Sequence, residues 1–207
     1  MPRSAYFTKD SIVNTALQLI REQGHDALSA RSLGKALGCS ISPIFTVFNN
    51  MDEVSEAVLK SAQKILMDYM ADVREYVPAF KEFAVRIIRF AREEKKLFIY
   101  LFIQNGKTST ELVHPIARQC MEDICTVHNI TTKQAEKLFE HMWIFIAGLA
   151  LYSAKEPGKF TEEYISELLT FNFISLVNFV SSGENIVGMT PRIKKDGELS
   201  SIKIQSI

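Results

Sequence analysis

Apolar residues recur along this chain with a period close to 3.6. That rhythm, interrupted at a few glycines and prolines, divides the chain into helices. Thr8 is an N-cap with Asp10 in the first turn, and Ile12, Val13, Ala16, Leu17 and Ile20 then form one buried face of a helix that ends at Gly24. Two short patterns follow. Ser32 to Leu37 sets Leu33, Ala36 and Leu37 at one-turn spacing, and Gly38 supplies a left-handed stop. Ser40 then caps a second short helix, with Ile41, Ile44, Phe45 and Phe48 on its apolar side and Ser42, Thr46 and Asn49 opposite. Asn50, with Glu53 three residues on, reads as a capping box that opens a long helix through Val54, Ala57, Val58, Ser61, Ile65 and Leu66.

Beyond Pro78 the pattern is richer in aromatics. Ala79 to Glu94 reads as one helix, and Leu97 to Ile103 as a short buried one. The polar run from Asn105 to Glu111 reads as a loop, after which Pro115 opens a helix through about Val127. Thr131 and Gln134 cap a helix that continues to about Ala154, and Pro157-Gly158 separate it from a last long helix starting at Thr161. That last helix is apolar on more than one face, so it must be covered on all sides. No hairpin pattern precedes residue 183, and the polar tail 183–207 is expected to be an extension of low order. The expected fold class is all-α, with about nine helices: a three-helix head over residues 1–50, with its motif at about 32–50, and a larger helical-bundle body over 51–182.

Composition changes this picture little. An apolar fraction of 47% beside 23% charged residues is ordinary for a folded domain with a core. The longest apolar run, Leu97 to Ile103, is about a third of the roughly 20 residues a bilayer span needs. The N-terminus carries no apolar leader, so a cytoplasmic location is expected. Three cysteines, Cys39, Cys120 and Cys125, are too few and uneven for a disulfide framework. Cys120 and Cys125 point in different directions on a helix, and neither HxxxH nor CxxC spacing occurs. No metal, no cofactor and no catalytic residue is expected, so an enzyme is not. With 24 basic against 24 acidic side chains, nucleic-acid affinity must come from local placement of charge, not from the total.

The two short helices joined by a tight turn fit a helix-turn-helix, whose second helix enters a major groove. They fit equally an αα-hairpin that only builds core. Gly38-Cys39-Ser40-Ile41-Ser42-Pro43-Ile44-Phe45-Thr46-Val47-Phe48, followed by Asn50-Met51-Asp52-Glu53-Val54, resembles the signature of the TetR-type (TetR/AcrR) transcriptional regulators, G-V-S-x-G-T-L-Y-x-Y-F-x-x-K-E-x-L. Gly24 and Arg31-Ser32-Leu33 also fall where that family places them. The resemblance covers about the first 60 residues. It departs from the pattern at Phe45, where a Tyr hydroxyl usually reaches a phosphate, at Met51 in place of Lys, and at Ser42-Pro43 in place of Gly-Thr.

On this reading Ser42, Pro43, Thr46 and Val47 reach base edges or methyl groups, and Asn49 and Asn50 meet phosphates. The helix start at Ser40 offers backbone N–H groups to a phosphate. Arg31 and Lys35 on the preceding helix, with Arg3 and Lys9 on the N-terminal arm, add backbone contacts. Val47 and Phe45 are alternatively core, Phe45 by preference. The resemblance further implies a small-molecule pocket in the body, for which Phe98, Tyr100, Phe102, Gln104, Arg118, Met121, His141, Trp143 and Tyr152 are the candidate walls. It also implies a homodimer, with the last two long helices pairing as a four-helix bundle through Leu168, Leu169, Phe171, Phe173, Leu176, Val177 and Val180. The expected function is a homodimeric repressor released from a pseudo-palindromic operator by a small ligand of unidentified structure. The alternative is a helix-turn-helix protein-interaction module whose DNA binding is weak or lost.

Overall fold

Local capping chemistry decides where most helices of the computed structural model begin. It describes residues 7–104 and 109–182, together with the backbone of 192–193 and 199–200. Helix α1 spans Lys9–Gln23, with the Thr8 hydroxyl accepting from the Ser11 N–H at 3.2 Å and the Ser11 hydroxyl accepting from the Thr8 N–H. The same reciprocal cap, Ser29 with Ser32, opens α2 at Ala30–Leu37. Gly38 closes α2 at φ +67°, a conformation that costs a residue with a Cβ about 1–2 kcal/mol. Asn50 caps α3, Met51–Tyr69, and Thr131 with Gln134 caps α7, Thr132–Lys155. Between them lie α4 at Ala79–Glu93, α5 at Lys95–Ile99, a π-helical turn at Tyr100–Gln104 and α6 at Ser109–His128. Helix α8, Glu162–Ser181, follows a Thr161 cap. In the tail, Arg192–Ile193 pairs antiparallel with Leu199–Ser200; the rest of that expectation lies outside the described residues.

The described residues thus contain eight α-helices, and the ninth expected one is the second short helix of the head. It winds instead as turns around a 3₁₀ segment, Ile44–Thr46. Ile41 to Phe48 consists of β-branched, aromatic, Ser and Pro residues, each a poor helix former, so the i→i+4 ladder is weakly favoured there. A second correction concerns α6, which begins at Ser109 and carries Pro115 inside it. The polar stretch from Ser109 is therefore helical, not loop, and the proline does not open the helix. Asn129, at φ +50°, ends α6 in the left-handed region that Asn tolerates.

A continuous apolar core runs from Ile12 to Val177. Its centre is α4, which packs along α7 and also touches α6, α8 and α3. Phe80 and Phe83 of α4 meet the rings of Phe139 and Trp143 on α7 at 6.3–6.5 Å separations, within the range where aromatic pairs attract. Helix α1 packs against α2, α3 and α5. Its polar links to the body sit at one place: Arg21 donates two bonds to Glu94, at 2.7 and 3.0 Å, and the Lys96 ammonium donates to the Glu22 carbonyl. Beside them the His25 ring stacks on Tyr100, with centroids 5.1 Å apart.

Candidate nucleic-acid interface and body cavity

The turn after α2 is set by close backbone approach. Cys39 N–H donates to the Gly34 carbonyl at 2.9 Å, and Gly38 N–H to that of Lys35 at 3.1 Å. A Cβ added at Gly34 would lie 3.1 Å from the Cys39 carbonyl oxygen. Gly34 is thus what lets the two arms of the motif meet, and the sequence reading passed over it; a glycine inside a helical pattern was the available signal. Leu33, Ile44 and Phe48 are buried and anchor the segment on the core. The outward residues are Ile41, Ser42, Phe45, Thr46 and Asn49, at the spacing of one helical face despite the 3₁₀ bonding.

This face differs from expectation in several details. Phe45 is 39% exposed and Ile41 47%, so neither is core. Thr46 faces out, but its hydroxyl donates to the Pro43 carbonyl at 2.7 Å, which competes with any base. Val47 and Pro43 are half-buried, and Val47 packs on the core. Ser42 and Ser40 are exposed, and Ser40 makes none of the described side-chain bonds, so its expected cap is not formed. Glu53 occupies both asparagines: its N–H donates to Asn50 Oδ1 at 2.9 Å, while its carboxylate accepts from Asn49 Nδ2 at 2.6 Å and from the Asn49 backbone N–H at 2.9 Å. Those bonds, the side-chain one first, hold the Glu53 carboxyl below its ordinary value. Arg31 and Lys35 are exposed one turn apart on α2. The Lys9 ammonium lies 5.3 Å over the Phe48 ring, and Arg3 lies outside the described residues.

The expected ligand walls are dispersed. Phe98, Phe102 and Trp143 are buried and form one run of ring contacts, at 4.7 and 5.6 Å, that belongs to the core. Tyr100 is buried under His25 at the junction with α1, where burial raises its hydroxyl pKa. Gln104, His141 and Tyr152 are exposed on the surface. Arg118 and Met121 come together in a cleft of about 260 Å³ beside His114 and Cys125. None of these side chains lines the larger cavity of about 720 Å³. That cavity lies between the segment 74–84, α6 and α8, with Phe80, Ala84, Cys120, Ile124, Met142, Leu169 and Phe173 as apolar walls. Arg74, Lys81, Asp123 and His128 supply its charged or titratable groups. Burial pushes the Cys120 thiol up to about 11, partly opposed by Arg74, so the thiol is protonated and inert at neutral pH. No group of three or more His, Cys, Asp or Glu suited to a metal ion occurs among the described residues.

Of the expected dimer residues, Leu169, Val177 and Val180 are buried within the protomer itself, and Leu168, Phe173 and Leu176 are half-buried. Phe171 stands 73% exposed, with Ile174 and Tyr164 on the same helix and Ile144, Leu151 and Tyr152 on α7 also exposed. The outward apolar face of α7 and α8 thus differs in most members from the expected one.

Solved structures share this architecture. A transcriptional regulator from Rhodococcus sp. Rha1 matches over 84% of this chain and 97% of its own, at 21% identity and a TM-score of 0.58. A TetR-family transcriptional regulator from Streptomyces coelicolor matches over 86% of each chain, at 18% identity and TM-score 0.59. The fatty acid degradation regulator FadR from Bacillus halodurans matches over 82% of this chain and 94% of its own, at 14% identity and TM-score 0.56. Neither a family model nor a curated protein matches the sequence. The chain has the TetR-type fold, an all-α architecture.

Proposed function

We propose that the chain is a cytoplasmic, homodimeric DNA-binding transcriptional regulator, a repressor released from its operator by a small molecule held in the body. The helix-turn-helix head ends near residue 50, and the body over 51–182 carries both the ligand and the dimer contact. The observation that carries the reading is the geometry of the head. Leu33, Ile44 and Phe48 pin the motif to the core, while Ser42 and Phe45 face outward and the cations Arg31 and Lys35 of α2 are exposed. A dimer would set two such faces about 34–36 Å apart, for successive major grooves of a pseudo-palindrome.

Fluorescence anisotropy of the full chain on the DNA upstream of its own gene, at a series of salt concentrations, tests this. Specific binding with a negative salt slope is expected, and Arg31→Ala and Lys35→Ala should each flatten that slope by about 0.9. Binding that is no tighter than to unrelated DNA and that ignores both substitutions would sink the proposal. A second reading has an observation of its own: the outward face carries exposed Ile41 and Phe45 and no cation, as a protein-docking surface would. A head that captures a partner protein with no salt slope on DNA would favour that reading.

A further inference from the structure

The cavity between segment 74–84, α6 and α8 carries an imbalance of charge over an apolar interior. Lys81 is half-buried, and its ammonium reaches across to Thr170 Oγ1 at 3.1 Å, tying α4 to α8. One hydroxyl leaves two of its three N–H donors unused. Arg74 stands at the rim on the segment that follows α3, and its charge reaches Cys120 in the cavity wall. Neither cation is among the described ion pairs, which include no bridge to Arg74, Lys81 or Asp123. Asp123 is the one carboxylate among the lining residues, against Arg74, Lys81 and a histidine. Beneath this rim, Phe80 and Phe173 face each other with ring centroids 5.9 Å apart, and Leu169 and Met142 complete an apolar floor.

We propose that this cavity binds an organic monocarboxylate with an apolar body, its carboxylate between Arg74 and Lys81 and its body against Phe80 and Phe173. This rests on reading the body cavity as the effector site. Charge selects the class. A cationic amphiphile would find a single carboxylate opposed by two cations, and a neutral one would bring neither cation an anionic partner. Charge-assisted bonds from guanidinium and ammonium to carboxylate are the strong ones, and an apolar wall lowers the dielectric around them. The volume of about 720 Å³ lies within the range of pockets that take drug-sized ligands. It excludes neither a chain nor a ring system.

Isothermal titration of the full chain with decanoate, 2-naphthoate, decan-1-ol and decylamine tests the class. At least one carboxylate should bind, while decylamine should not. Arg74→Gln and Lys81→Gln should each weaken that carboxylate about tenfold or more and leave decan-1-ol unchanged. Arg74 is exposed, so its variant keeps the fold; circular dichroism checks both. Preference for decanoate or for 2-naphthoate tells chain from ring. Binding of decylamine as tight as that of the carboxylates, or affinity indifferent to both substitutions, overturns the proposal. So does DNA binding by the wild-type chain with neither carboxylate bound, which leaves the regulator reading standing. Carboxylate binding by a chain that ignores DNA supports the ligand class and overturns the regulator reading.

Discussion

Replacing Phe171 by alanine should break the proposed dimer while leaving the protomer folded. Phe171 is 73% exposed on α8, with Ile174 one turn on, and Ile144, Leu151 and Tyr152 of α7 are exposed as well. Exposed apolar side chains in this number on two helices that pack together are what an interface between copies would cover. Fully burying a Phe side chain is worth about 1.5–3 kcal/mol, so the uncovered part of this one is worth roughly 1–2 kcal/mol. A twofold interface contains the residue twice, which brings the loss to about 2–4 kcal/mol. At 1.4 kcal/mol per decade, the dimer dissociation constant should rise roughly thirty- to seven-hundred-fold. Sedimentation velocity over a dilution series measures this directly. Ile103→Ala, at an exposed apolar position away from the α7–α8 face, serves as the control. Thermal unfolding of the dissociated protomer should be little changed, because Phe171 contributes little to the protomer's own core. A wild-type chain that sediments as a monomer throughout, or equal effects of Phe171→Ala and Ile103→Ala, would refute the reasoning.

Other perturbations follow from the core, the caps and the ion pairs. Phe83→Ala, at a fully buried ring that meets Phe80, Phe139 and Trp143, should cost about 3–5 kcal/mol in urea denaturation. Gly38→Ala meets no atom within 4 Å, so its cost is purely conformational. The expected loss is about 1–2 kcal/mol, seen as a melting temperature lower by a few degrees. Arg21 and Glu94 are about a third exposed, and a double-mutant cycle with Arg21→Ala and Glu94→Ala should yield a coupling of about 0.5–1 kcal/mol. The Glu53 carboxyl is held below its ordinary value, so its contribution to stability is present at neutral pH and lost as pH falls through that lowered value. Glu53→Gln should remove that part of the acid dependence in pH-stepped thermal melts.

What could be read in advance was local chemistry. Thr8, Gly24, Gly38, Asn50, Thr131 and Thr161 all mark helix boundaries, because a cap needs only its near neighbours. The second short helix of the head went further than its residues allowed. Its apolar spacing is helical, yet its residues are poor at holding a helix, and spacing says nothing of that. Pro115 misled in the opposite way, since its ring faces solvent on an otherwise packed helix. Aromatic richness located the core but not the cavity, because cores and pockets draw on the same residues. Phe98, Phe102 and Trp143 fill space, while the cavity wall came from Arg74 to Lys81, where Pro78 had served only as punctuation. The outward face of α8 was hidden by its uniform hydrophobicity, which cannot say which apolar side meets its own chain.

The cavity, the dimer face and the head share two helices, and that sharing gives the proposed regulation a physical route. Helix α8 lines the cavity with Leu169 and Phe173 on one side and presents Phe171 and Ile174 on the other. In the proposed dimer, a ligand that moves α8 therefore acts on the surface that spaces the two heads. Helix α3 carries the recognition turn just before its first residue and the Arg74 segment just after its last, a rod of 19 residues and about 28 Å. A tilt of roughly 5° about one end displaces the other by about 2 Å, enough to misalign hydrogen bonds to base edges. Arg86 joins that rod to α4, donating to the Tyr69 carbonyl at 2.9 Å, to Asp72 at 2.6 Å and to Glu82 at 2.7 Å. At the far end of α4, Glu94 holds α1 through Arg21. Head and body are thus tied at the middle and at the C-terminal end of one central helix, and displacement at the cavity cannot be absorbed by a slack linker. Under the proposed function, ligand and operator then weaken each other by the same factor, whichever binds first.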